Sequence, residues 1–361
     1  MKRRTFLRTA GAAGAAGLAG CTSSEPSGTT TGTTSGGSET LRVATYQPFV
    51  DAPSVSPGPW IREQFAARTG ADVEWLTPES GLNQFVQRAQ NDVPIAADVY
   101  VGVNADDLVR VDEQLPDQRL FDSVSASTMP NAAAVEESLE FDPEGRAIPF
   151  DTGIISLVYD AGAMAEPETF ADLTSPAFAD TLLLQNAQTS DPGRAFLLWT
   201  VAAMGTEGYL DYWADLVANG ARIVGDWNAA YTAFANGERP AVVSYSTDQV
   251  YAHRNDQDLQ AHQIAFLNDQ GYAVPEGMAR FADTDRPALA AEFMDFLLAP
   301  ETQAEIAVRN VAFPASTAAD PPADFEEFAH RPGEVLTHSY DELVGSLDTW
   351  VEDWARQIVS G

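Results

Sequence analysis

Apolar and polar positions alternate along this chain in two rhythms. Short β-rich runs such as "LRVATY", "ADVEWL" and "DVYVGV" are separated by stretches whose apolar residues recur every three or four positions. The first rhythm predicts strands over 41–46, 71–76 and 98–103; the second predicts helices over 60–68, 82–90 and onward from Asp106. Strand–helix–strand alternation of this kind builds a parallel sheet with helices on its faces. After residue 147 the pattern resumes. A long run, "AIPFDTGIISLVYD", reads as a crossing strand with Pro149 and Gly153 inside it. Strands over 181–185, 221–224 and 241–244 then alternate with helices over 192–204, 206–219 and 227–236. "HQIAFL" and "GYAVPEGMARF" read as strands returning to the first half, and 287–299 as an amphipathic helix. Leu343, Leu347, Trp350, Val351 and Trp354 recur at helical spacing and predict one terminal packing helix over 340–358.

The expected fold is therefore α/β with two lobes. The first comprises 41–147 with about 252–314; the second comprises 148–251 with about 315–361, including the terminal helix. A length of 361 residues suits two such units.

One stretch concentrates side chains that could meet a ligand: "GDWNAAYTAFANGERPAVVSYSTDQVY", residues 225–251. An apolar strand there runs into Tyr245, Ser246, Thr247 and Asp248, with Trp227 before it and Tyr251 after. A strand ending at a helix start places such groups at the mouth of an α/β crevice. Aromatic faces with a carboxylate and hydroxyls suit a flat organic cation.

Charge narrows the partners. There are 53 acidic residues against 20 basic ones, and Lys2 is the only lysine. So negative a surface repels nucleic acid and anionic membranes. It fits adaptation to high salt, with a generic acidic extracellular protein as the alternative. Arg3-Arg4 followed by "TAGAAGAAGLAG" reads as a twin-arginine export signal over 1–20, and Leu18-Ala19-Gly20-Cys21 as a lipobox that would lipidate Cys21. Cleavage before Cys21 would leave 16 basic residues and a formal charge of −37. Residues 22–40, rich in Ser, Thr and Gly, read as a disordered tether.

Catalytic signatures are missing. There is no G-x-S-x-G elbow, no Gly-Lys-Ser/Thr phosphate loop and no H-E-x-x-H, and His253, His262, His330 and His338 lack ligand spacing. The expectation is a binding protein with neither catalytic residues nor metal.

"ATYQPF", "PESGLNQFVQRAQ", "IPFDTG", "QTSDPGRAFLLW", "GDWNAAYTAFANGE", "VVSYSTDQVYAH" and "LAPETQAEIAVRNVAFP", in that order, resemble the thiamine-binding periplasmic proteins of ABC transporters. The resemblance covers Leu41 to about Pro314. It implies a periplasmic-binding-protein fold of type II, with a ligand cleft between lobes, that captures thiamine or a thiamine phosphate and hands it to a membrane permease. A lipid-anchored monomer on the outer side of the cytoplasmic membrane is expected. The resemblance also implies site residues: Tyr46, Ser80 and Gly81, Ser190 and Asp191, Trp227, the run Tyr245 to Asp248, and Tyr251. Ser80 stands where the family carries an acid, and two family tryptophans fall near Val55 and Val311. Trp227, Tyr245 and Tyr251 could face a thiazolium, while Asp151, Ser246 or Thr247 could serve an aminopyrimidine. Asp191 either opposes a phosphate at the start of the following helix or is simply its N-cap. A ferric-iron or polyamine receptor of the same fold is the alternative; an anchored enzyme or envelope structural protein is the alternative of another class.

Overall fold

The computed structural model describes residues 39–52 and 56–359. The export signal, Cys21, the tether as far as residue 38 and Val55 lie outside the described residues. The tether expected to reach residue 40 is shorter at its described end, because Thr40 already begins the first strand.

Among the described residues, twelve strands form one sheet: β1 Thr40–Ala44, β2 Asp72–Leu76, β3 Val99–Val103, β4 Phe121–Asp122, β5 Ala147–Tyr159, β6 Leu182–Gln185, β7 Arg222–Val224, β8 Ala241–Tyr245, β9 Gln263–Ala265, β10 Gln270–Phe281, β11 Phe313–Pro314 and β12 Glu334–Leu336. Along the main path the order is β2-β1-β3-β10-β5-β8-β6-β7. β1 lies parallel between β2 and β3, and β6 lies parallel between β7 and β8. The two parallel groups are joined by β5 and β10, antiparallel to each other and to the strands they flank.

Each group has its own core. Around β1–β3, helix Pro57–Thr69 packs Phe65 edge-on against Phe293 of helix Pro287–Leu297, while Phe85 and Phe281 fill the other face. Around β6 and β8, helices Asp191–Met204 and Tyr209–Ala218 bring Phe196, Trp199 and Trp213 together with Trp354. These are the two lobes. β5 serves both, since Phe150 is buried in the first core while Ile155 and Leu157 are buried in the second.

Two departures from the sequence pattern have local causes. Pro275 sits inside β10, where it costs a ladder hydrogen bond, and the register slips just beyond it between Glu276 and Gly277. The terminal helix is broken into Tyr340–Leu343 and Leu347–Trp354, with Gly345 at φ 71° between them. Leu343, Leu347, Val351 and Trp354 still share one buried face, so their spacing reported packing correctly but not helix continuity.

Candidate functional site

The middle of the sheet, where β5 and β10 cross between the lobes, carries two acids. Glu276 and Asp151 are direct cross-strand partners. Side chains alternate along a strand, so Gly153 shares the Asp151 face of β5. The Tyr245 ring, at the end of β8, lies over Gly153: a Cβ there would come within 2.6 Å of a ring carbon. Tyr46, just past β1, lies in the same way over Gly102, at 2.6 Å. Gly102 also has φ 95°, a conformation that side chains rarely adopt. Two glycines thus let two phenol rings rest close to the backbone, Tyr46 bonded to Glu276 and Tyr245 over the Asp151 face of β5.

The acids are tied to neutral groups. The Tyr46 hydroxyl donates to Glu276 Oε2 at 3.0 Å, and Asn310 Nδ2 donates to Asp151 Oδ2 at 2.7 Å and to the Tyr46 oxygen at 3.0 Å. Asp151 is 1% exposed, and its Oδ1 is buried without a hydrogen-bond partner. Burial and the Glu276 charge raise Asp151 well above the usual carboxylate range. Burial, opposed by the Tyr46 hydrogen bond and reinforced by the Asp191 charge, pushes Glu276 up to about 7. Burial and the Glu276 charge raise the phenols of Tyr46, Tyr100 and Tyr245, with Asp151 adding to Tyr46 and Tyr245 and Asp107 acting more strongly than Glu276 on Tyr100. This is an electronegative, poorly solvated surface framed by aromatic rings.

Around it, the loop before helix Asn83–Gln90 brings Gly81, at φ 53°, near the Tyr100 hydroxyl, while Ser80 points to solvent. Ser190 caps helix Asp191–Met204 with its backbone only, and its Oγ is buried without a partner. Asp191 is exposed and pairs with Arg194 at 2.5 Å. The buried guanidinium of Arg194 also pairs with Asp106, on helix Ala105–Gln114. Next to it, burial and the charges of Asp106 and Asp191 push Asp107 up to about 8. Trp227 opens helix Trp227–Ala235, stacks on Tyr231 with centroids 4.9 Å apart, and donates Nε1–H to Ser244 Oγ at 3.0 Å.

The family described as bacterial extracellular solute-binding protein matches residues 96–334, well over half the chain. The chain belongs to that family. This solute-binding protein is 25% identical over 323 residues to the thiamine-binding periplasmic protein of Escherichia coli (strain K12), covering 88% of this chain and 93% of the relative. Its identity to the thiamine-binding periplasmic protein of Salmonella typhimurium is 26% over the same length. A solved periplasmic thiamin binding protein superposes with a TM-score of 0.77 at 26% identity, covering 89% of this chain and 96% of that one. Apo ferric ion-binding protein A of Pasteurella haemolytica, at TM-score 0.70 and 14% identity, shares the fold.

Not every residue expected at the site meets the acid pair. Thr247 Oγ1 donates to the carbonyl of Val311 at 2.6 Å, next to Asn310, so the Tyr245–Thr247 segment borders the cluster. Ser246 is fully buried, and its Oγ lacks a partner. Asp248 is directed elsewhere: Tyr231 donates to it at 2.6 Å, and His262 Nδ1 lies 2.7 Å from its other oxygen. Tyr251 packs edge-on to Tyr231 and, with Phe234, Arg239 and His262, lines a depression of about 700 Å³ toward the opposite end of β8. Sequence reasoning missed Glu276, Asn310, Tyr100 and Arg194. The signal for Glu276 was present as an acid inside the otherwise apolar run "YAVPEGMA". Among the described residues no group of three or more His, Cys, Asp or Glu side chains could hold a metal ion.

Proposed function

We propose that this solute-binding protein captures thiamine between its lobes and presents the closed complex to the permease of an ABC importer. The observation that carries the reading is the Asp151–Glu276 pair, set between the tyrosines at 46 and 245 with no basic side chain in ion-pair reach among the described residues. A cation over an aromatic face gains about 0.5–2 kcal/mol, more when desolvated, and two nearby carboxylates add a Coulomb term in poor solvent. Thiamine offers a permanently charged ring for that surface and an aminopyrimidine for hydrogen bonding. The buried Oγ atoms of Ser190 and Ser246 are candidate partners. The names of the relatives that match over most of this chain support the same ligand.

Free thiamine is preferred over its phosphates in this reading. Helix Asp191–Met204 starts with an acid, and Arg194 in its first turn is already shared by Asp106 and Asp191. A phosphate would meet Asp191 before any uncommitted cation. Calorimetry in which the monophosphate binds tighter than thiamine would reject this preference.

The route to the site of action is part of the proposal. Export by the twin-arginine pathway and lipid attachment at Cys21 would hold a monomer outside the cytoplasmic membrane, and the arginine-only, acid-rich composition would serve in high salt. Binding, with no chemical conversion of the vitamin, is the whole activity. Closure follows from a ligand that touches both lobes and so favours the closed state.

Tryptophan fluorescence titration in multimolar salt tests the ligand. Thiamine should saturate a signal change that ferric citrate and spermidine do not produce. A response to ferric citrate or spermidine with none to thiamine would transfer the reading to the alternative receptor class.

A further inference from the structure

The pairing of Asp151 with Glu276 is unfavourable unless something compensates it. Like charges directly opposite one another destabilise an antiparallel pair, and this pair lies where β5 and β10 pass between the lobes. The elements packed around it supply neutral or negative groups except for one cation, Arg194 on helix Asp191–Met204, which is already shared by Asp106 and Asp191. Tyr46 and Asn310 hydrogen-bond to the acids, Tyr100 from β3 and Tyr245 from β8 present phenols, and Asp191 adds a further negative charge. Arg309, the neighbour of Asn310 in sequence, is paired to Glu305 at 2.9 Å and lies over the Trp60 ring. The buried Oδ1 of Asp151 has no partner at all. Two carboxylates so placed cannot both stay ionised at low cost, and a shared proton is the usual resolution.

We infer that Asp151 and Glu276 act as one unit that takes up a cationic ring and gives up a proton. In the ligand-free protein the pair holds one proton. When the cation settles against it, both carboxylates are ionised and that proton leaves to solvent, so charge is conserved across the step. The inference rests on the reading that the ligand is a permanent organic cation of the thiamine kind. It adds that Glu276, Asp151 and the Asn310 amide that orders them determine cation selectivity, and that capture is linked to pH. Burial pushes Glu276 up to about 7 and raises Asp151 as well, so the exchange begins near neutrality and extends above it. Below that range the ligand must displace a proton, so affinity should fall by up to about tenfold per pH unit; above it, affinity should level off.

Titration calorimetry of the full chain with thiamine, in buffers of differing ionisation enthalpy, reads the proton directly. Measurements should run from about pH 6 to about pH 9, above the range in which the ligand's own aminopyrimidine titrates. We expect release of about one proton or more per thiamine at the acid end, falling toward the alkaline end, with affinity rising in parallel. Glu276→Gln keeps the shape and the Tyr46 contact but removes one acid. It should reduce the proton release, since Asp151 loses the Glu276 charge that helps to raise it, and weaken thiamine binding by about tenfold or more at alkaline pH. Saturable binding with no proton exchange and a flat pH profile would overturn the inference while leaving the thiamine reading standing. Failure to bind thiamine at any pH would overturn that reading itself. Should Glu276→Gln fail to fold, as judged by circular dichroism, the wild-type proton count alone decides. A folded Glu276→Gln protein with the wild-type pH profile would also reject the pair as the source.

Discussion

Arg194, in the first turn of the helix that begins the second lobe's core, is bonded to Asp106, at the start of a helix whose Leu108 and Val111 pack into the first. The guanidinium is buried and also serves Asp191, so one side chain balances acids contributed by both lobes. Deleting one partner of a buried pair strands the other charge, and the destabilisation is larger than the net worth of the pair.

Arg194→Ala should therefore cost about 3–5 kcal/mol of stability, because buried Asp106 would lose the guanidinium it pairs with. Denaturant unfolding of the ligand-free protein measures it. A change within the range of ordinary surface substitutions would show that the bridge is dispensable.

Gly153 has no unusual backbone conformation, so replacing it acts through the ring above it. In Gly153→Ala the new methyl would meet Tyr245 at 2.6 Å and must move the phenol. Ligand affinity should drop by about tenfold or more while far-UV circular dichroism stays native, a misplacement of the aromatic wall rather than of the sheet. Unchanged affinity would remove Tyr245 from the binding surface.

Trp227 is held on two sides, by the stack on Tyr231 and by the bond to Ser244 beside Tyr245. Trp227→Ala should weaken thiamine binding at least about tenfold, in line with the loss of one desolvated cation–aromatic contact. Retained affinity would make that indole a packing residue of the second lobe.

The acid pair also predicts how stability depends on pH. Glu276 titrates near 7 in the folded protein against an ordinary 4.5, so the folded state binds this proton more tightly than the unfolded chain. A raised carboxyl contributes stability that is complete below the unfolded value and is lost as pH rises through the folded one. Between about pH 4.5 and 7 the ligand-free wild type should therefore lose melting temperature relative to Glu276→Gln. Parallel curves for the two proteins across that window would contradict the shift.

The α/β alternation was legible because the strands are short, β-rich and separated by helices with clear periodicity. Residues 241–245 and 227–235 formed where the pattern placed them. Asp248 was harder to place from sequence. It follows the binding-like run Tyr245-Ser246-Thr247, yet the first turn of helix Asp248–Arg254 rotates it toward Tyr231 and His262. A one-dimensional run of polar residues does not say which side of a turn each will face. Asn310, and the pairing of Glu276 with Asp151, were hidden for the opposite reason. Glu276 and Asn310 lie 125 and 159 residues from Asp151 in sequence, and only the register of β10 on β5 and the return of the chain after residue 306 bring them to it.

The most direct test is a crystal structure of the protein grown with thiamine. The charged ring should lie within about 6 Å of a phenol centroid, at Tyr46 or Tyr245, with the Asp151 and Glu276 carboxylates as its nearest charges. Thiamine seated instead in the depression lined by Tyr251 and His262, with the acid pair untouched, would contradict it.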